Sequence, residues 1–127
     1  MTIKKILIVD DEERLRELVQ ACLEDLGGWE TITAASGKEC LEIVQTDKFD
    51  AIVLDVSMPG MDGFAVFERL QSNPMTQSIP VILLTARVLP RDRDRFSDMG
   101  VAGVIPKPID PMTISTEIAE ILGWEES

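Results

Sequence analysis

Ile6-Leu7-Ile8-Val9-Asp10-Asp11 and its echo, Ala51-Ile52-Val53-Leu54-Asp55, decide how this chain folds. Each is a short, unbroken apolar run that ends abruptly in carboxylate. Four or five aliphatic residues without polar alternation suit a strand buried on both faces, as in a parallel sheet. In open α/β sheets, ligand sites lie beyond the carboxyl ends of the strands, where the strand order reverses. If the two runs are neighbouring parallel strands, Asp10, Asp11 and Asp55 converge at one sheet edge.

The flanking sequence supplies the rest of such a sheet. Leu15, Leu18, Val19, Cys22, Leu23 and Leu26 recur at helical spacing, predicting a helix over 12–26 that Gly27-Gly28 stops. Residues 29–34 alternate more weakly, as an edge strand would. Ser36, with Glu39 three residues on, forms a capping box for a helix that buries Cys40, Leu41 and Val44. Residues 56–63 are turn chemistry, and a helix over 64–72 ends at Asn73-Pro74. A fourth strand over 79–84 stops at Thr85-Ala86. A helix over 90–99 opens on Pro90, which suits a first helical position, and closes on Gly100. A short strand over 103–105 precedes Pro106-Lys107-Pro108, and a last helix over 111–122 is closed by Gly123. Five strands alternating with five helices predict a doubly wound α/β sheet with right-handed crossovers, one domain over residues 1–127.

Composition narrows the function. The 127 residues carry 23 acids against 12 bases, a net charge of −11. That argues against a nucleic-acid surface, which needs clustered Lys and Arg. The one arginine-rich stretch, 91–95, is neutralised along its length by Asp92 and Asp94. No apolar run approaches the roughly 20 residues of a membrane span. Met1-Thr2-Ile3-Lys4-Lys5 runs straight into a core strand and does not read as a signal peptide. Cys22 and Cys40 lack CxxC spacing and read as buried free thiols in a reducing cytoplasm. With no histidine in the chain, His-dependent triads and His-ligated zinc are excluded.

Polar residues at the strand ends form a constellation: Asp10 and Asp11 after strand one, Asp55 on strand three, Thr85 on strand four, Lys107 after strand five. Two carboxylates roughly 4 Å apart repel by about 4 kcal/mol at an effective dielectric of 20, so three need cations. Lys107 supplies one charge. An all-oxygen shell suits a hard divalent ion, and magnesium keeps its waters and uses few protein carboxylates. Capping of the first helix would account for one acid of the Asp10-Asp11 pair, but not for Asp55 or Lys107.

On Asp10-Asp11, Asp55 with Met58-Pro59-Gly60-Met61-Asp62-Gly63 behind it, Thr85-Ala86 and Lys107-Pro108, the chain resembles the receiver domain of two-component response regulators, the family of the chemotaxis protein CheY. The resemblance covers essentially all of the sequence. It implies a flavodoxin-like sheet of strand order 2-1-3-4-5 and a cytoplasmic phosphorelay module that catalyses only its own phosphorylation and dephosphorylation. Asp55 would be the phosphoacceptor, needing no base because its carboxylate is already the nucleophile. Asp11, Asp55 and the backbone carbonyl of Ser57 would hold Mg2+ directly, with Asp10 reaching it through water. Lys107 would pair with phosphoryl oxygens, the Thr85 hydroxyl would turn to meet them, and Ser57 and Arg87 would flank the hydrolytic water. A histidine kinase or phosphotransfer protein is the implied donor, and the Lys107–Pro108 peptide is expected to be cis. The implied output face is helix four, strand five and helix five. Val104 stands where members commonly carry Tyr or Phe, so the expected movement is a shift over residues 85–99 rather than a ring rotation. Two other classes fit less well. A flavin carrier would need hydroxyls and glycines where Asp10-Asp11-Glu12-Glu13 stand, and an aspartate-nucleophile phosphatase would need an acid at Ser57.

Overall fold

The computed structural model describes residues 3–86 and 89–124. Five parallel strands form one sheet in the order β2-β1-β3-β4-β5. They are β1 (Lys5–Val9), β2 (Glu30–Ala34), β3 (Ala51–Asp55), β4 (Val81–Thr85) and β5 (Gly103–Pro106). Between and after them run α1 (Glu13–Asp25), α2 (Gly37–Ile43), α3 (Gly63–Gln71), α4 (Pro90–Met99) and α5 (Ile114–Leu122). The expected strand order holds, with the reversal between β1 and β3 where both acid-bearing runs end.

The apolar runs are buried on both faces because consecutive side chains point to opposite sides of a strand. Leu7, Val9, Ile52, Leu54, Val81 and Leu83 meet Cys40 and Val44 of the α2 region, Val66, Phe67 and Leu70 of α3 and Phe96 of α4. Ile6, Ile8, Val53, Ile82, Leu84 and Ile105 meet Val19, Cys22 and Leu23 of α1 and Ile114, Ile118 and Ala119 of α5. No strand residue of β3 or β4 reaches solvent. Cys22 and Cys40 are both free and buried. Among the described residues, no helix is long and apolar enough to cross a membrane.

Helix ends follow local chemistry. Ser36 Oγ accepts the Glu39 N–H at 3.1 Å, and Asp62 Oδ1 accepts that of Ala65 at 2.9 Å. Pro90 opens α4, and Gly100 closes it in the left-handed region, at φ 93°. Two expectations shift. The last helix starts at Ile114 rather than near Pro111, because the Asp110 carboxylate takes the Met112 N–H at 2.9 Å and holds a turn there. Leu18 and Leu26 are 41% and 50% exposed. The buried stripe of α1 runs through Val19, Cys22 and Leu23, and those two leucines lie at its margins. The Lys107–Pro108 peptide is cis, as expected.

Candidate functional site

Because Val9 of β1 pairs opposite Leu54 of β3, the residues that follow both strands leave the sheet side by side. Asp10 and Asp55 are each 1% exposed, while Asp11 faces solvent. One carboxylate oxygen from each of the three lies within 4.8 Å of the others. Lys107 reaches across the end of β4, and its Nζ sits 2.7 Å from Asp55 Oδ1 and 3.8 Å from Asp10 Oδ2. Its backbone N–H donates to the carbonyl of Thr85 at 2.9 Å, so the buried residue that ends β4 carries the lysine toward the acids.

Thus the structure brings together Asp10, Asp11, Asp55 and Lys107, with Thr85 bound to the lysine's backbone. Ser57 is exposed, and its N–H approaches Asp55 Oδ1 at 3.4 Å. Val104 is half-buried on β5 and packs against the layer that contains Phe96. Arg87 lies outside the described residues.

The electrostatics follow from this crowding. Burial pushes the Asp10 carboxyl up to about 6, and the charges of Asp55 and Asp11 add to the push. The Glu12 N–H, donated to Asp10 Oδ1 at 2.9 Å, and the Lys107 ammonium oppose it. Burial disfavours the Lys107 ammonium, but its hydrogen bond to Asp55 and the charges of Asp10, Asp55 and Glu12 outweigh that and raise its pKa. One ammonium against three acids leaves a net negative cluster. Asp10 Oδ2 is buried with no hydrogen-bond partner, a cost of about 1–3 kcal/mol for such a group unless something else engages it. Three hard oxygen donors, one of them from a buried carboxylate whose Oδ2 accepts no hydrogen bond, fit a divalent cation such as magnesium.

The supporting roles of two residues were not read from the sequence, although Gly63 stood in the quoted turn behind Asp55. A Cβ on Gly63 would lie 2.5 Å from the Asp55 carbonyl oxygen, so only glycine lets α3 start against the end of β3. Arg16 Nη1 donates to the Asp10 carbonyl oxygen at 2.9 Å. The signal for Gly63 was its place in the turn after Asp55. For Arg16 it was a cation one turn into the helix that follows two acids.

The family model described as "Response regulator receiver domain" matches residues 6–119. The chain is 37% identical over 123 residues to the alkaline phosphatase synthesis transcriptional regulatory protein PhoP of Bacillus subtilis, covering 97% of this chain and 50% of that protein. It is 33% identical over 122 residues to the response regulator Rre1 of Synechocystis, covering 96% of this chain and 53% of that one. The chain therefore spans about half the length of these curated relatives. The solved structure of the chemotaxis response regulator CheY4 of Vibrio cholerae superposes with a TM-score of 0.87 at 32% identity, covering 94% of this chain and 99% of that one.

Proposed function

This chain belongs to the response regulator receiver family, and on that premise we propose that it accepts a phosphoryl group on Asp55 and signals by moving the face made by α4, β5 and α5. The observation that carries the proposal is the pairing of a buried carboxylate with an ammonium 2.7 Å away, beside two further acids. An Asp55 oxygen bonds to the phosphorus of the donor while the bond from phosphorus to the donor nitrogen or oxygen breaks, its electron pair leaving with the donor. No proton has to leave Asp55, whose carboxylate is already the nucleophile. Lys107 already touches Asp55 Oδ1, and a small movement transfers its charge to the new phosphoryl oxygens. Thr85, buried at the end of β4, turns its hydroxyl toward the same oxygens. Asp11, Asp55 and the carbonyl of Ser57 would hold magnesium, with Asp10 behind them, and the ion when bound offsets charge between carboxylate and phosphoryl group. Ser57 and Arg87 flank the water that later hydrolyses the acyl phosphate.

The donor is a histidine kinase or a phosphotransfer protein, and the module works in the cytoplasm. Lys107 exchanges its contact with Asp55 for one with the phosphoryl oxygens, so the gain is carried by one new charge-assisted hydrogen bond, from Thr85, of roughly 1.5–3 kcal/mol. Driving a two-state element from 1:99 to 99:1 takes about 5.5 kcal/mol, so this bond supplies up to about half of what the switch needs. With Val104 in place of an aromatic, the movement is a shift over residues 85–99.

Incubation with magnesium and acetyl phosphate should add one acid-stable, hydroxylamine-labile phosphoryl group, and Asp55→Asn should take none. Equal labelling of that variant would overturn the assignment.

A further inference from the structure

We infer that Arg16 is a positioning residue for the acid pair: its guanidinium fixes the Asp10–Asp11 peptide so that both carboxylates are presented to the cation of the phosphoacceptor site. The inference rests on the phosphoacceptor reading above. Asp10 is the first residue beyond β1, where ladder pairing ends, and nearly every polar group it has is engaged. Its N–H donates to the Ala34 carbonyl at 3.1 Å, its Oδ1 accepts the Glu12 N–H at 2.9 Å, and its carbonyl oxygen accepts Arg16 Nη1 at 2.9 Å. Only Oδ2 is left over, and it points to the lysine and the other acids.

The carbonyl contact matters more for Asp11 than for Asp10. A peptide is planar, so holding the Asp10 oxygen also fixes the Asp11 N–H and the direction of the Asp11 Cα. Asp11 is exposed, yet its carboxylate stands within 4.8 Å of two buried ones. Arg16 itself is half-buried and rises from a helix that Val19, Cys22 and Leu23 anchor to the sheet. A planar guanidinium on a rigid element, donating from Nη1, holds that carbonyl from one direction.

The competing role is plain satisfaction of a strand-end carbonyl, which would affect stability alone. Magnesium titration by calorimetry on the wild type, Arg16→Ala and Arg16→Lys separates the two, alongside urea unfolding in chelator. Removing a partner that orients a metal ligand weakens metal binding by about tenfold or more, so Arg16→Ala should lose that much affinity and Arg16→Lys less. In magnesium-free protein, the amide resonances of Asp11 and Glu12 should move most. An Arg16→Ala protein that binds magnesium within about twofold of wild type overturns the inference, whatever its stability, because orienting partners cost more than that. If Arg16→Ala does not fold, Arg16→Lys and Arg16→Gln carry the test: weaker binding in both supports the role, and wild-type affinity in both refutes it. A wild type that neither binds magnesium nor takes label would instead defeat the phosphoacceptor reading.

Discussion

The centre of the sheet, at its switch point, and the β5 edge are built differently. On the β1–β3 side, every residue from Ile6 to Asp10 and from Ala51 to Val56 is buried, and the acids stand on that closed packing. On the α4–β5 side, α4 buries one residue, Phe96, and β5 buries Ile105 alone. A cleft of about 250 Å³ opens there, lined by residues that include Phe96, Gly103 and Val104. Phe96 stacks on Phe64 of α3 with ring centroids 5.8 Å apart, and Arg95 lies over Phe64 at 5.0 Å. The acid site is thus mounted where displacement is costly, and the proposed readout where few buried contacts resist it. Regions with few buried apolar contacts open at lower free energy than core strands do.

That contrast breaks first under core truncation. Leu54→Ala, in β3 beside the acids, should cost about 2–5 kcal/mol of global stability, as buried leucines do, read by urea unfolding. A loss well below that range would mean the β1–β3 side is not the rigid half. Phe96→Ala sharpens the opposite side. Because Phe96 is the one fully buried side chain of α4, its loss should raise amide exchange across 90–99 far more than in β1 or β3. Uniform loss of protection would show that α4 is part of the global unit and not a separately released element.

A smaller effect comes from Asp10. Its carboxyl stands at about 6 against an ordinary 3.8, so the folded protein holds that proton more tightly than the unfolded chain does. The stabilising contribution is complete below about pH 3.8 and is lost as pH rises toward about 6. In magnesium-free buffer, the stability of Asp10→Asn relative to wild type should therefore climb between pH 4 and 6 and level off above. A difference that stays flat across that window would show that Asp10 is not a strained, buried charge. The smallest effect lies on α1, where Leu18→Ala should cost less than about 1 kcal/mol because the side chain is largely exposed already. A core-sized loss would mean that α1 packs more broadly than its buried stripe.

Much of this was legible in the sequence. The unbroken aliphatic runs within residues 6–11, 51–55 and 79–85 read as buried strands by their shortness and their flanking turn residues, and their alternation with helical segments carries the parallel sheet. Placement of Asp10, Asp55, Thr85 and Lys107 at strand ends follows from the same pattern. The exposure of Leu18 was not legible, because helical spacing marks a face but not its margin. Neither was the late start of α5, where one Asp110 side chain competes with the helix for a backbone N–H.

The sequence by itself determined the fold class, the strand ends and the set of charged groups, because hydrophobic period and strand length are local properties. Tertiary structure alone decided which atoms meet. The 2.7 Å approach of Lys107 to Asp55 joins residues 52 positions apart across the end of β4. The hold of Arg16 on the Asp10 carbonyl depends on how α1 docks, and the stack of Phe64 on Phe96 on how α3 lies beside α4. Contacts of that kind depend on element packing, which close-packed interiors set through the shapes of all their neighbours at once.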